Sequence, residues 1–384
     1  MATFLLALAI LNLAVTLFLN LQIWWGNRHV VNLRDVEPVE RSTAPSVSIV
    51  VAARNEQRDI AAAVASWLTL DYDDYELIVV NDRSTDETGA ILDELARDNV
   101  KLNVVHLTEL PSGWLGKTHA LQCGSERGSG EWLLFSDADV VMQPDTLRRA
   151  VGHAERRELD HLPMIFRVRM PTWFLESFCI LFFVYLWAYF KPWRAKNPHS
   201  RAYIGIGGFN LIRAEVYEEI GRHEPIRMRP DDDLKFGKLV KQSGYRQELV
   251  AAFDHIEVPW YNSVGEVIVG LEKNSFSGVE YSVFTVVWSS AVALAFNAFP
   301  FVAIFVTTGI TRCVYLGVVA ALLLLCYDLA RWANLRRSTV FGFPLAVLLI
   351  VFIQWRTMIL NLWHGGLRWR DTFYPLDELK ANRL

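Results

Sequence analysis

Apolar positions fall into two regimes along the chain. From Thr3 to Trp25 the sequence is apolar and uncharged, and a membrane-spanning helix needs about 20 such residues. Three further apolar runs lie at about Tyr281–Gly309, Cys313–Ala330 and Val340–Leu362. Between them the pattern shortens and alternates. Strand-like runs at Ser46–Ala53, Tyr75–Val80, Leu102–His106 and Trp132–Ser136 are interleaved with helical spacing over Gln57–Leu70, Asp86–Arg97 and Lys117–Arg127. Strands alternating with helices predict an α/β domain whose mainly parallel sheet is covered on both faces. In such sheets ligands collect at the carboxyl ends of the strands.

The first apolar run has no basic start and no small-residue cleavage site, so it reads as a retained anchor rather than a signal peptide. Arg28 and Arg34 follow it, and Arg331, Arg336 and Arg337 separate the last two runs. The Lys/Arg bias puts both places in the cytoplasm. Three C-terminal spans would leave the tail outside, although it carries Arg368 and Arg370. A short, re-entrant or interfacial segment would resolve that parity. Trp173–Phe190 (WFLESFCILFFVYLWAYF) interrupts the soluble region; a buried helix, a span and an interfacial helix are all open to it, and an amphipathic helix at the membrane surface is favoured, since a span there would cut the domain in two. The expected organisation is an anchor over 1–27, a linker over 28–45, a cytoplasmic domain over 46–258 containing the 173–192 helix, and an interfacial segment over 259–280. About three transmembrane helices over 281–364 and a tail over 365–384 complete it, in a multi-pass protein of the inner (cytoplasmic) membrane.

Composition narrows the function. Hydrophobic residues make up 52% of the 384 and charged residues 21%, which excludes a disordered or fibrous chain. Lys and Arg number 38 against 42 Asp and Glu, a net charge of −4. No basic excess is present to displace counterions, so a nucleic acid is not an expected partner. The four cysteines are scattered without metal spacing, which argues against a disulfide scaffold or a zinc ribbon. Many of the 14 tryptophans flank the apolar runs, as interfacial belts do.

Candidate chemistry appears where strands end. The first strand runs into Ala53-Arg54-Asn55-Glu56, the second into Asn81-Asp82-Arg83-Ser84-Thr85-Asp86, and the Trp132–Ser136 strand into Asp137-Ala138-Asp139. Asp and Asn are common in turns and helix caps, which accounts for Asp86 and Asp145. It accounts poorly for Asp137 and Asp139, which close an apolar strand. Carboxylates at i and i+2 can jointly hold a hard cation, Mg²⁺ or Mn²⁺, bridged to phosphate oxygens. No Gly-x-Gly-x-x-Gly follows the first strand, which disfavours a dinucleotide-binding dehydrogenase.

Taken together, SIVVAARNE, VVNDRSTDET, GKTHALQCG and LLFSDAD resemble, in order and spacing, the nucleotide-binding half of family 2 glycosyltransferases of the A-type fold. The likeness covers roughly Ser46–Arg246. With the flanking apolar helices, the chain is further similar to bacterial hopanoid-associated, carotenoid-acid and ceramide glycosyltransferases. The resemblance implies a Rossmann-like domain that binds a nucleotide-diphosphate sugar, most often a UDP-sugar. Ala53, Asn55 and Glu56 would then line the nucleoside pocket, and Asp82 would contact the base. Lys117 would lie near the diphosphate, where a lysine acts as a point charge. Asp139 would coordinate the metal, with Asp137 on the sugar or ribose side.

On the acceptor side, Gly205-Ile206-Gly207-Gly208-Phe209-Asn210 resembles the family's small-residue loop, so Gly207 and Gly208 would allow close backbone approach. Arg229-Pro230-Asp231-Asp232-Asp233 resembles the family's acidic pair, with Asp233 first and Asp232 second as the base that takes the acceptor's proton. A plain helix-capping role is the alternative. The Gln-x-x-Arg-Trp motif of processive synthases is absent; Trp260 and Lys273 occupy that region, Lys273 either near the diphosphate or snorkelling at the membrane. The implied activity is inverting transfer of one sugar to a lipid hydroxyl or carboxyl. Two alternatives remain: a polyprenyl-phosphate sugar transferase, with Arg227, Arg229 and Arg246 as a basic pocket, and an inactive nucleotide-binding scaffold.

Overall fold

The computed structural model describes residues 2–382 and 384. The chain divides into two compact units. One contains residues 1–29, 170–191 and 260–380, and the other contains 30–169, 192–259 and 381–384.

The first unit begins with α1 (Ala2–Asn27). The second is built on eleven strands: β1 (Val31–Asn32), β2 (Val47–Ala53), β3 (Tyr75–Asp82), β4 (Leu102–Leu107), β5 (Trp132–Asp137), β6 (Val141–Met142), β7 (His161–Ile165), β8 (Arg167–Arg169), β9 (Asn210–Arg213), β10 (Val250–Ala251) and β11 (Ile256–Pro259). Eight form one sheet in the order β1-β10-β7-β9-β5-β2-β3-β4, and β6-β11-β8 form a smaller one. Pairing is parallel from β5 through β2 and β3 to β4. The exception is β9, which is antiparallel to both β5 and β7.

Successive side chains of a strand point to opposite faces, and here both faces are apolar. Ile49, Val51, Leu77 and Val79 pack against α2 (Ile60–Leu68), α3 (Thr88–Arg97) and others on one face. Val50, Ile78 and Val80 pack on the other against α4 (Gly116–Ser125). The helix α5 (Thr146–Arg156) joins the first layer. Residues 28–45, expected as a linker, are instead built in from Val30 onward: Val31 and Asn32 pair with β10, and Leu33 and Val36 are buried in the core.

In the first unit, α6 (Trp173–Phe190) corrects one expectation. It is not amphipathic: Leu175, Phe178, Ile180, Leu181, Val184 and Trp187 are all buried, and a helix that is apolar all round is either a core helix or a membrane span. Two helices complete the sheet unit, α7 (Ala214–Glu219) and α8 (Asp232–Gln242). The first unit continues through α9 (Val264–Ser275), α10 (Val283–Ala293), a π turn at 294–298, α11 (Phe299–Val306), α12 (Gly309–Trp332) and α13 (Phe343–His364). It ends in a hairpin of β12 (Gly366–Trp369) with β13 (Thr372–Pro375) and the short α14 (Leu376–Ala381). Among the described residues, five helical stretches are long and apolar enough to cross a membrane: Thr3–Asn27, Trp173–Arg194, Val283–Val306, Gly309–Trp332 and Arg337–His364.

The sheet fixes where α4 can lie. A Cβ at Gly124 would fall 2.5 Å from Val50 Cγ1 and 2.9 Å from Val80 Cγ2, both fully buried. Gly124→Ala should therefore overpack the α4–sheet contact and cost about 1–3 kcal/mol, read as a lower unfolding midpoint. An unchanged midpoint would mean that α4 is not held against the sheet as described.

Candidate active site

The loops that follow β2 and β3 are laced together. Asn55 adopts a left-handed backbone, φ 55°. Its side-chain oxygen accepts from Thr85 N at 2.8 Å, while its own N–H donates to Ser84 Oγ at 3.0 Å. The Glu56 N–H donates to Thr88 Oγ1. Ala53 is buried at the end of β2. Asp86 accepts from both Gln57 N and Thr88 N, consistent with a turn-forming role. Asp145 stands before α5 without capping it and holds Arg149 instead.

Asp82, 3% exposed, closes β3. Arg83 grips it with two hydrogen bonds, at 2.7 and 3.1 Å, and Arg54 stands 3.7 Å away. The start of α4 presses on this pair: a Cβ at Gly116 would fall 2.3 Å from Asp82 Oδ2. One residue on, Lys117 enters the acidic cluster. Its Nζ is 2.8 Å from Asp137 Oδ1 and 3.2 Å from Asp232 Oδ2. Burial works against its charge, but Asp137, Asp232 and Asp233 outweigh burial and hold its pKa above the ordinary lysine range.

The three aspartates at the start of α8 divide by partner. Asp231 accepts from Arg229 Nε at 2.9 Å and from a second guanidinium nitrogen at 3.0 Å, with Arg229 only 1% exposed. Asp232 pairs with Lys117. Asp233 accepts from Gly207 N at 3.0 Å and from Leu234 N at 2.8 Å. Burial, with Asp232 beside it, pushes the Asp233 carboxyl up to about 6 against the opposing pull of Lys117. Burial, then Asp137 and Glu56, likewise push Asp139 up to about 7.

The glycine loop lies among the same groups. A Cβ at Gly207 would fall 2.7 Å from Asp137 Oδ2, one at Gly205 1.9 Å from Asp233 O, and one at Gly208 2.4 Å from the Phe166 ring. The close approach these glycines permit is thus to protein groups. A cavity of about 10 Å³, lined by Lys117, Ser136, Asn210, His223, Asp232 and Asp233 among others, lies inside the cluster. That is room for about one water. Burial, then Lys117, lowers the His223 pKa to about 3, so this lining group is a neutral imidazole.

The structure therefore gathers Lys117, Asp137, Asp232, Asp233 and Gly207 at one place, with Asp139 within electrostatic reach of Asp137 and Glu56. Trp260 and Lys273 belong to the other unit. There Trp260 packs against Phe182, and the Lys273 ammonium lies 4.7 Å over the Trp369 ring. The basic pocket expected of Arg227, Arg229 and Arg246 does not form as such. Each is committed to an acid: Glu224, Asp231 and Glu158 respectively. Sequence reasoning did not single out His223 or the Arg229–Asp231 clamp as site elements. Neither has a motif, and only the run of three aspartates hinted at the second.

Among the described residues no three His, Cys, Asp or Glu side chains gather as a ready-made metal cage. Asp137 and Asp139 still fit a hard divalent cation, because Mg²⁺ is commonly held by one or two carboxylates plus substrate phosphates and waters.

Residues 48–221 match the family model described as Glycosyl transferase family 2. The beta-monoglucosyldiacylglycerol synthase of Synechocystis is 39% identical over 111 residues, covering 28% of this chain and 23% of that protein. The synthase of the same name from Nostoc is 35% identical over 121 residues, covering 31% and 25%. The matched stretch thus spans about a quarter of those relatives. Among solved structures, the mannosyltransferase PcManGT from Pyrobaculum calidifontis, in complex with GDP-Man and Mn²⁺, is 20% identical with a TM-score of 0.56. The likeness covers 94% of this chain and all of that one, and bears on the fold. Residues 48–221 are thus similar to family 2 glycosyltransferase domains, and the sheet unit has an A-type-like α/β fold with a mainly parallel sheet.

Lys117 is the cation shared by the cluster, so Lys117→Met should destabilise the domain. Breaking a buried pair costs about 3–5 kcal/mol, and with 19% of the side chain exposed the loss should fall below that range. The sign with pH follows from the raised Asp233 carboxyl. Asp233 takes up a proton as pH falls through about 6, and without the opposing pull of Lys117 it protonates higher still. The deficit in denaturant unfolding should therefore be largest near pH 8 and shrink toward pH 5; a pH-independent deficit would contradict the shared-cation arrangement.

Proposed function

We propose that the protein is an integral membrane glycosyltransferase that moves one sugar from a nucleotide-diphosphate sugar to a lipid acceptor, with inversion. The observation that carries this is the cluster itself: Asp233 partly buried with a raised pKa, beside a Lys117–Asp232–Asp137 network at the strand ends. The family domain supports a glycosyl donor, and the similarity to lipid-glucosylating synthases supports a lipid acceptor.

In this reading Ala53, Asn55, Glu56 and Asp82 face the nucleoside, with Arg54 and Arg83 orienting the Asp82 carboxylate. Lys117 offers a positive charge to the diphosphate. Asp139 and Asp137 would hold the divalent cation; when bound, it offsets the charge growing on the leaving diphosphate. Asp233 takes the proton from the acceptor hydroxyl as its oxygen attacks the anomeric carbon, and the bond from that carbon to the diphosphate breaks. A carboxyl pushed up to about 6 is well matched to this task near neutral pH. Asp232, held by Lys117, is the second carboxylate. Gly207 orients Asp233 through its N–H. Trp260 and Lys273 are assigned to the acceptor side on sequence position alone.

The test is Asp233→Asn, assayed with a radiolabelled UDP-sugar and membrane lipid. The wild-type rate should rise with pH through about 6, because the base must be deprotonated. The variant should lose about 10²–10⁴-fold in turnover together with that pH limb, while still binding donor. Full activity in the variant would remove Asp233 from the mechanism.

A further inference from the structure

The last residues of the chain fold into the sheet unit. The Asn382 side chain accepts from Met228 N at 3.1 Å and donates to Pro225 O at 3.0 Å, and residues 381, 382 and 384 cluster with that unit. Segment 260–380 therefore leaves the sheet unit and returns to it. In a membrane, such a segment crosses an even number of times. Three of its helical stretches are apolar enough to cross: Val283–Val306, Gly309–Trp332 and Arg337–His364.

Packing within the first unit identifies the pair that crosses. α12 runs parallel to α1: Tyr315 reaches the Leu5 carbonyl, Asn20 donates to Ala321 O at 2.8 Å, and Arg28 meets Asp328 at 3.9 Å. The C-terminal end of α1 leads directly into the sheet unit, so the C-terminal end of α12 emerges on that side too. The α10–α11 stretch must then cross outward before it. It ends beside the start of α12, where Arg312 Nε donates to Thr307 O at 2.8 Å. Those two crossings complete the even count and leave none for α13.

Contacts of α6 agree. Its first turns meet the segment after α12, through Glu176 with Arg336 and Ser177 Oγ with Thr339 O. Its last turn meets the ends of α1 and α12, through Trp187 with Asn27 and Trp332. Both ends of α6 thus lie at one level. The start of α13 shares it, because a Cβ at Gly342 would fall 2.4 Å from Ser177 Oγ.

α13 also has the surface for such a position. Leu345, Leu348, Phe352, Ile359, Leu362 and Trp363 are exposed by 46–83% and recur at helical spacing on one face. The opposite face is buried and includes Thr357 and Asn361. Arg356, midway along, is paired with Glu272 of α9. A strip of wholly apolar side chains on a helix that does not cross fits the acyl-chain boundary of a bilayer.

We propose that α13 lies in the plane of the membrane, on the side where the chain enters the sheet unit, with the Leu345–Trp363 face immersed in that leaflet. The tail then needs no separate crossing. The inference rests on membrane insertion of the first unit and not on the transfer chemistry.

The test uses the full-length protein in vesicles of known sidedness, with Cys123 and Cys313 replaced by Ser. Single cysteines at Asp98, Ser338, Asp371 and Thr308 are probed with a membrane-impermeant maleimide. D98C, S338C and D371C should label from one side and T308C from the other. Labelling of D371C from the side of T308C would overturn the proposal, as would labelling of all four from one side. Nitroxides at Leu348 and Ile359 provide the second reading. Equal depths are expected; a separation near the roughly 16 Å that 11 residues of a crossing helix would give would contradict it. Neither readout depends on sugar transfer, so failure here leaves the proposed activity to its own test.

Discussion

The site depends on an imbalance of charge. Asp137, Asp139, Asp232 and Asp233 converge at the strand ends, and Lys117 reaches Asp137 and Asp232 directly. Carboxylates brought together out of water are costly unless paired or protonated. The imbalance is visible in Asp139 and Asp233, whose carboxyls are pushed up to about 7 and about 6. The same arrangement that opposes ionisation at Asp233 leaves it ready to accept a proton. In the proposed function, Asp137 and Asp139 are the carboxylates that would hold a divalent cation.

Holding those groups together is work for the backbone. Gly116 lets α4 close on Asp82 so that the next residue, Lys117, reaches Asp137. Gly205 and Gly207 let their loop pass between Asp137 and Asp233 where no Cβ fits. Arg229, buried and clamped on Asp231, removes one of three adjacent negative charges from the balance. Asn382 braces the same segment at Pro225 and Met228. Thr118 Oγ1 and Leu115 N both bond Arg227 O, so the segment before α8 also ties down the start of α4. Two helix starts that carry opposite charges are thereby linked through one loop.

How much of this was legible in sequence depends on range. The β2, β3 and β5 strands could be read within one or two residues, because runs buried on both faces are continuous and end abruptly in polar turns; the edge strand β4, half exposed, was read from its short β-rich run. The acidic strand ends were legible for the same reason. The antiparallel insertion of β9 between β5 and β7 was not, since four residues carry no orientation signal. Nor was the anchoring of 31–36, where Val31 and Asn32 pair with β10 and Leu33 and Val36 are buried, although the segment reads like any linker. The division of labour among Asp231, Asp232 and Asp233 was hidden because Arg229, Lys117 and Gly207 approach from three parts of the chain. Hydropathy alone does not settle α6 or α13, because apolar length reports what a helix tolerates and both are long and apolar enough to cross a membrane.

The most direct test of the account is whether the strand-end cluster binds a nucleotide diphosphate together with a cation. Purified protein in detergent would be heated with UDP, GDP, CMP or ADP, each with and without Mn²⁺. A ligand that binds only the folded state adds about 2.7 kcal/mol of stability at a hundredfold excess over Kd. The account predicts a shift that requires both nucleotide and metal, strongest with UDP, and lost in Asp139→Asn. No shift with any nucleotide, in protein shown to be folded, would contradict it.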